Sequence, residues 1–180
     1  MPRSDSPEAR AGRDVDGHLV LVGMMGTGKT TVGTVLARRL GRSLIDSDAE
    51  VEARTGRTVR EIFETDGEAA YRPLETDALL EALASPVPAV IAAAGGVVLS
   101  ATNRQAIEDH AGLVVWLRAD PTLIVGRVGH HDHRPLLDHD PAGTVTRLEA
   151  EREPLYAEVA DRIVDVDNKT PDQIADEILA

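Results

Sequence analysis

The chain has no cysteine, which excludes disulfides and thiolate-held metals and accords with a reducing cytoplasm. It has one Trp, two Tyr and one Phe, so a core must be packed from Val, Leu, Ile and Ala. It lacks any apolar run near the roughly 20 residues that span a bilayer. It also lacks positive charge: 19 Lys and Arg stand against 31 Asp and Glu, a net charge of -12. Such a balance speaks against nucleic acid and anionic membrane surfaces as partners. It equally opposes a small anionic substrate, so any anion site must be assembled locally from Arg, Lys and backbone N–H groups. The first 17 residues contain no hydrophobic segment, and so are not a secretory signal. They read as a disordered leader, with residues 18–180 as one domain.

Within that domain, short apolar runs alternate with amphipathic segments. Strands are predicted at 18–23, 42–46, 88–96, 112–118 and 161–166. Helices are predicted at 30–41, 48–55, about 67–84, 101–109, 121–128, 141–158 and from Thr170 onward, with a short one after Thr58. Four Ser/Thr-x-x-Glu/Gln boxes mark helix starts: Ser47 with Glu50, Thr58 with Glu61, Thr65 with Glu68, and Thr170 with Gln173. Strands that are apolar on both faces and alternate with helices imply a parallel sheet covered on both sides, an α/β fold in three layers.

The stretch LVGMMGTGKTT (21–31) contains Gly23-x-x-x-x-Gly28-Lys29-Thr30, the phosphate-binding P-loop pattern. It follows a strand and opens a helix, as that motif requires. Its glycines let successive N–H groups turn toward one phosphate, and the helix N-terminus adds partial positive charge. Lys29 brings a full charge to the outer phosphates, and the Thr30 hydroxyl is placed to ligate Mg2+. The ligand is therefore a nucleoside triphosphate.

The acceptor of the phosphoryl group should sit at the C-terminal ends of the other strands. Asp46 and Asp48 end the second strand, either as acceptor and metal-water ligands or as ordinary helix-capping carboxylates. Arg72 and Glu75 share a helix face, either as a surface ion pair or as part of a carboxylate clamp. Gly95 and Gly96 make a tight turn or admit a ligand to the backbone. Residues 129–143, GHHDHRPLLDHDPAG, read as a lid centred on Arg134, spanning about 129–140. His130, His131 and His133 in it lack a spacing that would converge on a metal.

Taken in order, GMMGTGKTT, DSD, RTGRTVREIFETDGEAAYRPLE, the glycine pair, RPLL and REPLY resemble the shikimate kinase family from His18 to the C-terminus. The resemblance implies a nucleoside-monophosphate-kinase-like fold with a five-stranded parallel sheet and a mobile lid. It implies transfer of the ATP γ-phosphoryl group to the 3-hydroxyl of shikimate, on the route to chorismate and the aromatic amino acids. By position, Gly26, Thr27, Gly28, Lys29, Thr30 and Thr31 would hold ATP, with Arg127 and Pro171 flanking adenine. Asp48 would bind shikimate hydroxyls and act as base, Arg72 and Arg152 would clamp the carboxylate, Glu75 would brace them, and Gly95 would give a backbone contact. Arg134 would close over the transferring phosphate. Mg2+ would rest on Thr30 and, through water, on Asp46. A cytoplasmic monomer acting on shikimate and ATP is expected.

The chain departs from the family pattern at three places. Ala94 replaces the first of three glycines, Tyr71 replaces a usual Phe, and Pro73 follows Arg72. The alternatives are a kinase of the same fold acting on another polyol acid such as gluconate, and a P-loop binding protein without catalysis.

Overall fold

A computed structural model describes residues 15–128 and 140–180 of the chain. Its centre is β1 (His18–Val22), every residue of which is buried. A strand of this kind, apolar from Leu19 to Val22, is stable only when both faces are covered. It pairs in parallel with β3 (Val90–Ala92) on one side and β4 (Ala111–Arg118) on the other, in the registers Val20↔Ile91 and Val20↔Val114. β2 (Leu44–Asp46) and β5 (Arg162–Asp165) complete a five-stranded parallel sheet of order β2-β3-β1-β4-β5. The outer strands are less buried, since each has a neighbour on one side only. The predicted third strand is shorter than 88–96: beyond Ala92 the chain leaves regular pairing and reaches Gly95 and Gly96.

Helices α1 (Lys29–Leu40), α2 (Ser47–Thr55), α3 (Val59–Asp66) and α4 (Glu68–Ala84) precede β3. After a 3-10 turn at Val97–Leu99 come α5 (Ala101–His110), α6 (Pro121–Val128), α7 (Pro141–Val159) and α8 (Pro171–Leu179). The main core joins the sheet to its covering helices. Its fully buried members include Leu19, Leu21, Leu36, Ile91 and Leu117, each contributing about 1.5–3 kcal/mol. A satellite core of Val51, Ile62, Tyr71 and Ala78 locks α2, α3 and α4 together. That second core fixes the helices that carry Asp48 and Arg72.

Two of the four predicted capping boxes form, at Thr58–Glu61 and Thr170–Gln173. The other two do not. At α2 the cap is Asp46, which accepts from the N–H groups of Asp48 and Ala49, and Ser47 is drawn into the interior. At Thr65 the helix is already ending: Gly67, at φ 83°, donates back to the carbonyls of Ile62 and Phe63 and starts α4 without a side-chain cap. Pro73 and Pro154 are carried inside α4 and α7.

Of the expected leader, residues 1–14 lie outside the described residues. Residues 15–17 are tied to the domain: Val15 packs on the core, and Arg42 donates to the carbonyls of Asp16 and Gly17. Arg134, His130, His131 and His133, with the rest of 129–139, also lie outside the described residues. Among those described, no helix is long and apolar enough to cross a membrane.

Candidate active site

The C-terminal ends of β1, β2 and β3 open onto a cavity of about 580 Å3. Residues 26–32 form one wall, Asp46, Asp48 and residues 92–95 another, and Arg127, Lys169, Pro171 and Ile174 a third. The P-loop shape depends on glycine. Gly23 has φ 140°, and a Cβ there would stand 2.4 Å from the Leu117 carbonyl oxygen. Gly28 has φ 91° and caps α1. No side chain caps that helix and its first turn holds no acid, whereas α2, α3 and α4 each carry Glu or Asp there. In a strongly acidic chain, this N-terminus keeps its N–H groups and partial charge for an anion.

Lys29 Nζ donates to the carbonyls of Gly23, at 2.8 Å, and Met24, at 2.9 Å, so it is held across its own loop. Thr27 braces the same turn by donating to Met24 O at 2.8 Å. Thr30 Oγ1 donates to Asp46 Oδ2 at 2.5 Å, while Asp46 Oδ1 caps α2. One carboxylate thus joins the P-loop helix to the end of β2. Thr30 and Asp46 offer hard oxygens side by side at the phosphate end. That donor set suits Mg2+, which takes one or two protein oxygens and keeps waters and phosphate oxygens as its other ligands.

Ser47 does something the sequence pattern hid. Fully buried, it accepts from Ala94 N–H at 2.8 Å and donates to Ala92 O at 3.4 Å, stitching the end of β2 to that of β3. Ala94 lies in the cavity wall. Among the described residues Asn168 is the only non-glycine with positive φ, so Ala94 holds an ordinary backbone conformation and its methyl costs no strain.

The acceptor end is made of charged side chains. The Tyr71 hydroxyl donates to Asp48 Oδ1, and its ring packs 4.8 Å from that of Phe63. Burial, then the charge of Asp48, pushes the Tyr71 phenol far above its usual range, so it remains a donor. Arg72 Nη1 donates to both oxygens of Glu75 at 2.9 Å, and its Nε donates to Glu68 Oε1 at 3.0 Å. A Cβ at Gly96 would fall 1.9 Å from Arg72 Nη1, so the second glycine of the pair makes room for this guanidinium. Burial would lower the Arg72 pKa, but Glu75 and Glu68 hold it above the ordinary arginine value.

Glu75 is 2% exposed, and burial raises its pKa against the opposing pull of Arg72 and Arg152. Arg152 is equally buried, and its Nε has no hydrogen-bond partner among the described residues. Tyr156, one turn along α7, donates to Gly95 O at 2.6 Å. Gly95 therefore sits beside both Arg152 and the Gly23 carbonyl, where acceptor and phosphate ends meet.

Most of the predicted site residues thus converge. Asp46, Asp48, Gly95 and the P-loop residues line the cavity, and Arg72, Glu75 and Arg152 form the charged cluster behind it. Arg127 donates to Gly26 O at 3.1 Å, across the loop, and Pro171 stands at the far end. Ser47, Lys169, Glu68 and Tyr156 were not singled out from the sequence as site residues. Two of them left a local signal: Glu68 stands four residues before Arg72, and Tyr156 four residues after Arg152, each on the same helical face as its arginine.

A P-loop at the end of a central parallel strand, with a polar acceptor pocket at neighbouring strand ends, defines a phosphotransferase of the nucleoside-monophosphate-kinase-like class. A family model described as Shikimate kinase matches residues 25–180. A shikimate kinase from Ruegeria pomeroyi is 45% identical over 164 residues, covering 90% of this chain and 83% of the relative. The solved shikimate kinase from Acinetobacter baumannii, in complex with shikimate, is 37% identical with a TM-score of 0.87, covering 95% of this chain and 94% of that one. A gluconokinase from Sinorhizobium meliloti shares the fold at a TM-score of 0.62 and 21% identity, covering 93% of this chain and 91% of that one. The chain belongs to the shikimate kinase family.

Proposed function

We infer that this chain transfers the γ-phosphoryl group of ATP to the 3-hydroxyl of shikimate, giving shikimate 3-phosphate and ADP in aromatic amino-acid biosynthesis. The observation that carries the substrate half is the acceptor end. Two arginines and a buried glutamate crowd beside the P-loop cavity, and one buried guanidinium N–H, Arg152 Nε, has no acceptor among the described residues. A buried donor of that kind calls for an anion with oxygens in a plane, which a carboxylate supplies.

In this reading the P-loop N–H groups and Lys29 cradle the triphosphate, with Lys29 leaving its loop carbonyls for phosphate oxygens. Arg127 and Pro171 flank the base. Arg72 and Arg152 bind the shikimate carboxylate, Glu75 fixes the spacing of the two guanidinium groups, and Gly95 offers its backbone. Asp48, steadied by Tyr71, orients the 3-hydroxyl and takes its proton as that oxygen bonds to the γ-phosphorus. The bond to the bridging oxygen breaks and its electron pair leaves on ADP. Thr30 and, through water, Asp46 would hold Mg2+, which supplies charge neutralisation on the phosphate oxygens when bound. Arg134, by its place in the family pattern, would approach the phosphoryl group in flight. The protein acts as a cytoplasmic monomer.

An ADP-release assay with MgATP and either shikimate, gluconate or no acceptor tests this function. Turnover with shikimate alone, with product phosphorus located at the 3-oxygen by NMR, is expected. Turnover with gluconate but not shikimate, or equal ADP release without an acceptor, overturns it.

A further inference from the structure

Arg72 carries five N–H donors, and this structure shows where three of them go. Nη1 is taken by both oxygens of Glu75, while Nε and Nη2 both point to Glu68 Oε1. Nε and Nη2 form the side edge of the guanidinium, one of the two edges that grip a carboxylate in a fork. That edge is therefore held by a carboxylate of the protein itself.

The two glutamates are not equivalent. The Glu75 side chain is 2% exposed and bounded by Arg72, Asp48 and Arg152, so it cannot leave without stranding charge. The Glu68 side chain is 46% exposed. It is the first residue of α4 and follows Gly67, so water is ready to receive its carboxylate.

We propose that Glu68 is an internal stand-in for the substrate carboxylate, occupying the side edge of Arg72 in the empty enzyme and thereby setting the affinity for shikimate. The proposal rests on the reading that Arg72 receives that carboxylate. Binding then exchanges one carboxylate for another. The half-buried guanidinium stays paired throughout and is already oriented for a planar anion, while Glu68 swings into water. The contest weakens apparent shikimate affinity by the strength of a partly exposed ion pair, a factor of about two to five. A merely structural glutamate predicts the opposite sign. Its loss would loosen Arg72 and weaken binding.

The test measures shikimate Kd by calorimetry and steady-state constants for Glu68→Gln, Glu68→Asp and Arg72→Ala. Glu68→Gln should lower shikimate Kd and KM about three-fold, with kcat and the ATP KM within two-fold of wild type. Glu68→Asp keeps the charge but is one methylene shorter and reaches Arg72 less well. It should also lower KM, which separates competition for Arg72 from general repulsion of an anion. It also serves if the glutamine variant folds poorly. In an Arg72→Ala background, Glu68→Gln should have no effect on KM. The proposal is overturned if Glu68→Gln leaves KM unchanged or raises it while Arg72→Ala raises it. It is also overturned if the aspartate variant matches wild type while the glutamine variant improves. If Arg72→Ala leaves shikimate binding unchanged, the carboxylate-clamp reading fails, and this inference with it.

Discussion

At the P-loop end the cavity is lined by backbone, one lysine and two threonines, all between Gly23 and Thr30. At the acceptor end Asp48 lines the cavity and the side chains of Arg72, Glu75 and Arg152 cluster behind it, drawn together from three helices. The two ends handle charge differently. The phosphate end leaves a helix N-terminus bare of acids and holds its lysine on loop carbonyls, which a phosphate readily replaces. The acceptor end buries its charges in a mutually compensating cluster, where each group is costly to remove. In the proposed function the first is a general triphosphate cradle, and the second is the source of specificity. Removing a group from one end should leave the other end's ligand nearly untouched.

The largest effect is expected from Lys29→Ala. Its ammonium is the only side-chain cation of the P-loop. Turnover should fall by about 10²–10³-fold or more, while thermal unfolding and shikimate binding without nucleotide stay close to wild type. A parallel loss of shikimate binding would show that the two ends are not separable.

Next in size is Arg152→Ala. Losing a charged hydrogen-bonding partner should raise the shikimate KM about ten- to a hundred-fold and leave the ATP KM within a factor of two. Melting temperature should also fall, because Glu75 stays buried with one arginine fewer. Steady-state kinetics with each substrate varied in turn would check this. An equal rise in both KM values would erase the distinction between the ends.

The two ends also differed in how far the sequence disclosed them. The P-loop was legible because everything it needs is local: glycines at positions of positive φ, a lysine and a threonine in fixed spacing. The parallel sheet followed from strands apolar on both faces. Arg72 and Arg152 are far apart in the chain, and they come together because α4 and α7 both pack on the 3-10 turn that follows Gly95 and Gly96. Taken one at a time they looked like surface arginines, and the family pattern was what paired them. Ser47 was misassigned because Asp46, one residue earlier, caps equally well, and the pull of the β3 end on Ser47 is not local. The Thr65–Glu68 box failed because Gly67 ended the helix first. What became of Glu68 instead, a contact with Arg72, was within reach of its four-residue spacing.

A smaller effect should come from Tyr156→Phe. Its ring lies 5.8 Å from that of Trp116, and the phenyl group would keep that contact. Only the hydroxyl is lost, with its bond to Gly95 O and its hydrogen bond with the Arg152 side chain. If the hydroxyl serves to hold Gly95 against Arg152, the shikimate KM should rise about three- to ten-fold with kcat nearly constant. The melting temperature should change by only a few degrees. Calorimetry gives a readout of shikimate binding that is independent of turnover. A loss of melting temperature with unchanged KM would make Tyr156 a core residue and nothing more.

The smallest effect concerns Glu75 and the pH dependence of stability. Burial lifts its pKa above the ordinary value of 4.5, despite the arginines beside it. Between that ordinary value and the raised one, the folded protein keeps a proton that the unfolded chain releases. The resulting stabilisation is fully present below the ordinary carboxylate pKa and is lost as pH rises through the folded value. A tenfold difference in proton affinity between the folded and unfolded chain is worth about 1.4 kcal/mol. Glu61, Asp120 and Asp165 act in the other direction: their lowered pKa values stabilise the fold above the ordinary carboxylate range, and that contribution is lost as pH falls. A single stability profile mixes these effects, so the comparison must be with Glu75→Gln, which keeps the side chain's shape and cannot ionise. Urea unfolding of both proteins from about pH 4 to pH 8 should show wild-type stability falling relative to the variant as pH rises, and the slope rather than the offset carries the test. If wild type instead gains on the variant with rising pH, then Arg72 and Arg152 outweigh burial at Glu75. The acceptor end would then hold a tightly ionised triad rather than a carboxyl group close to neutralisation.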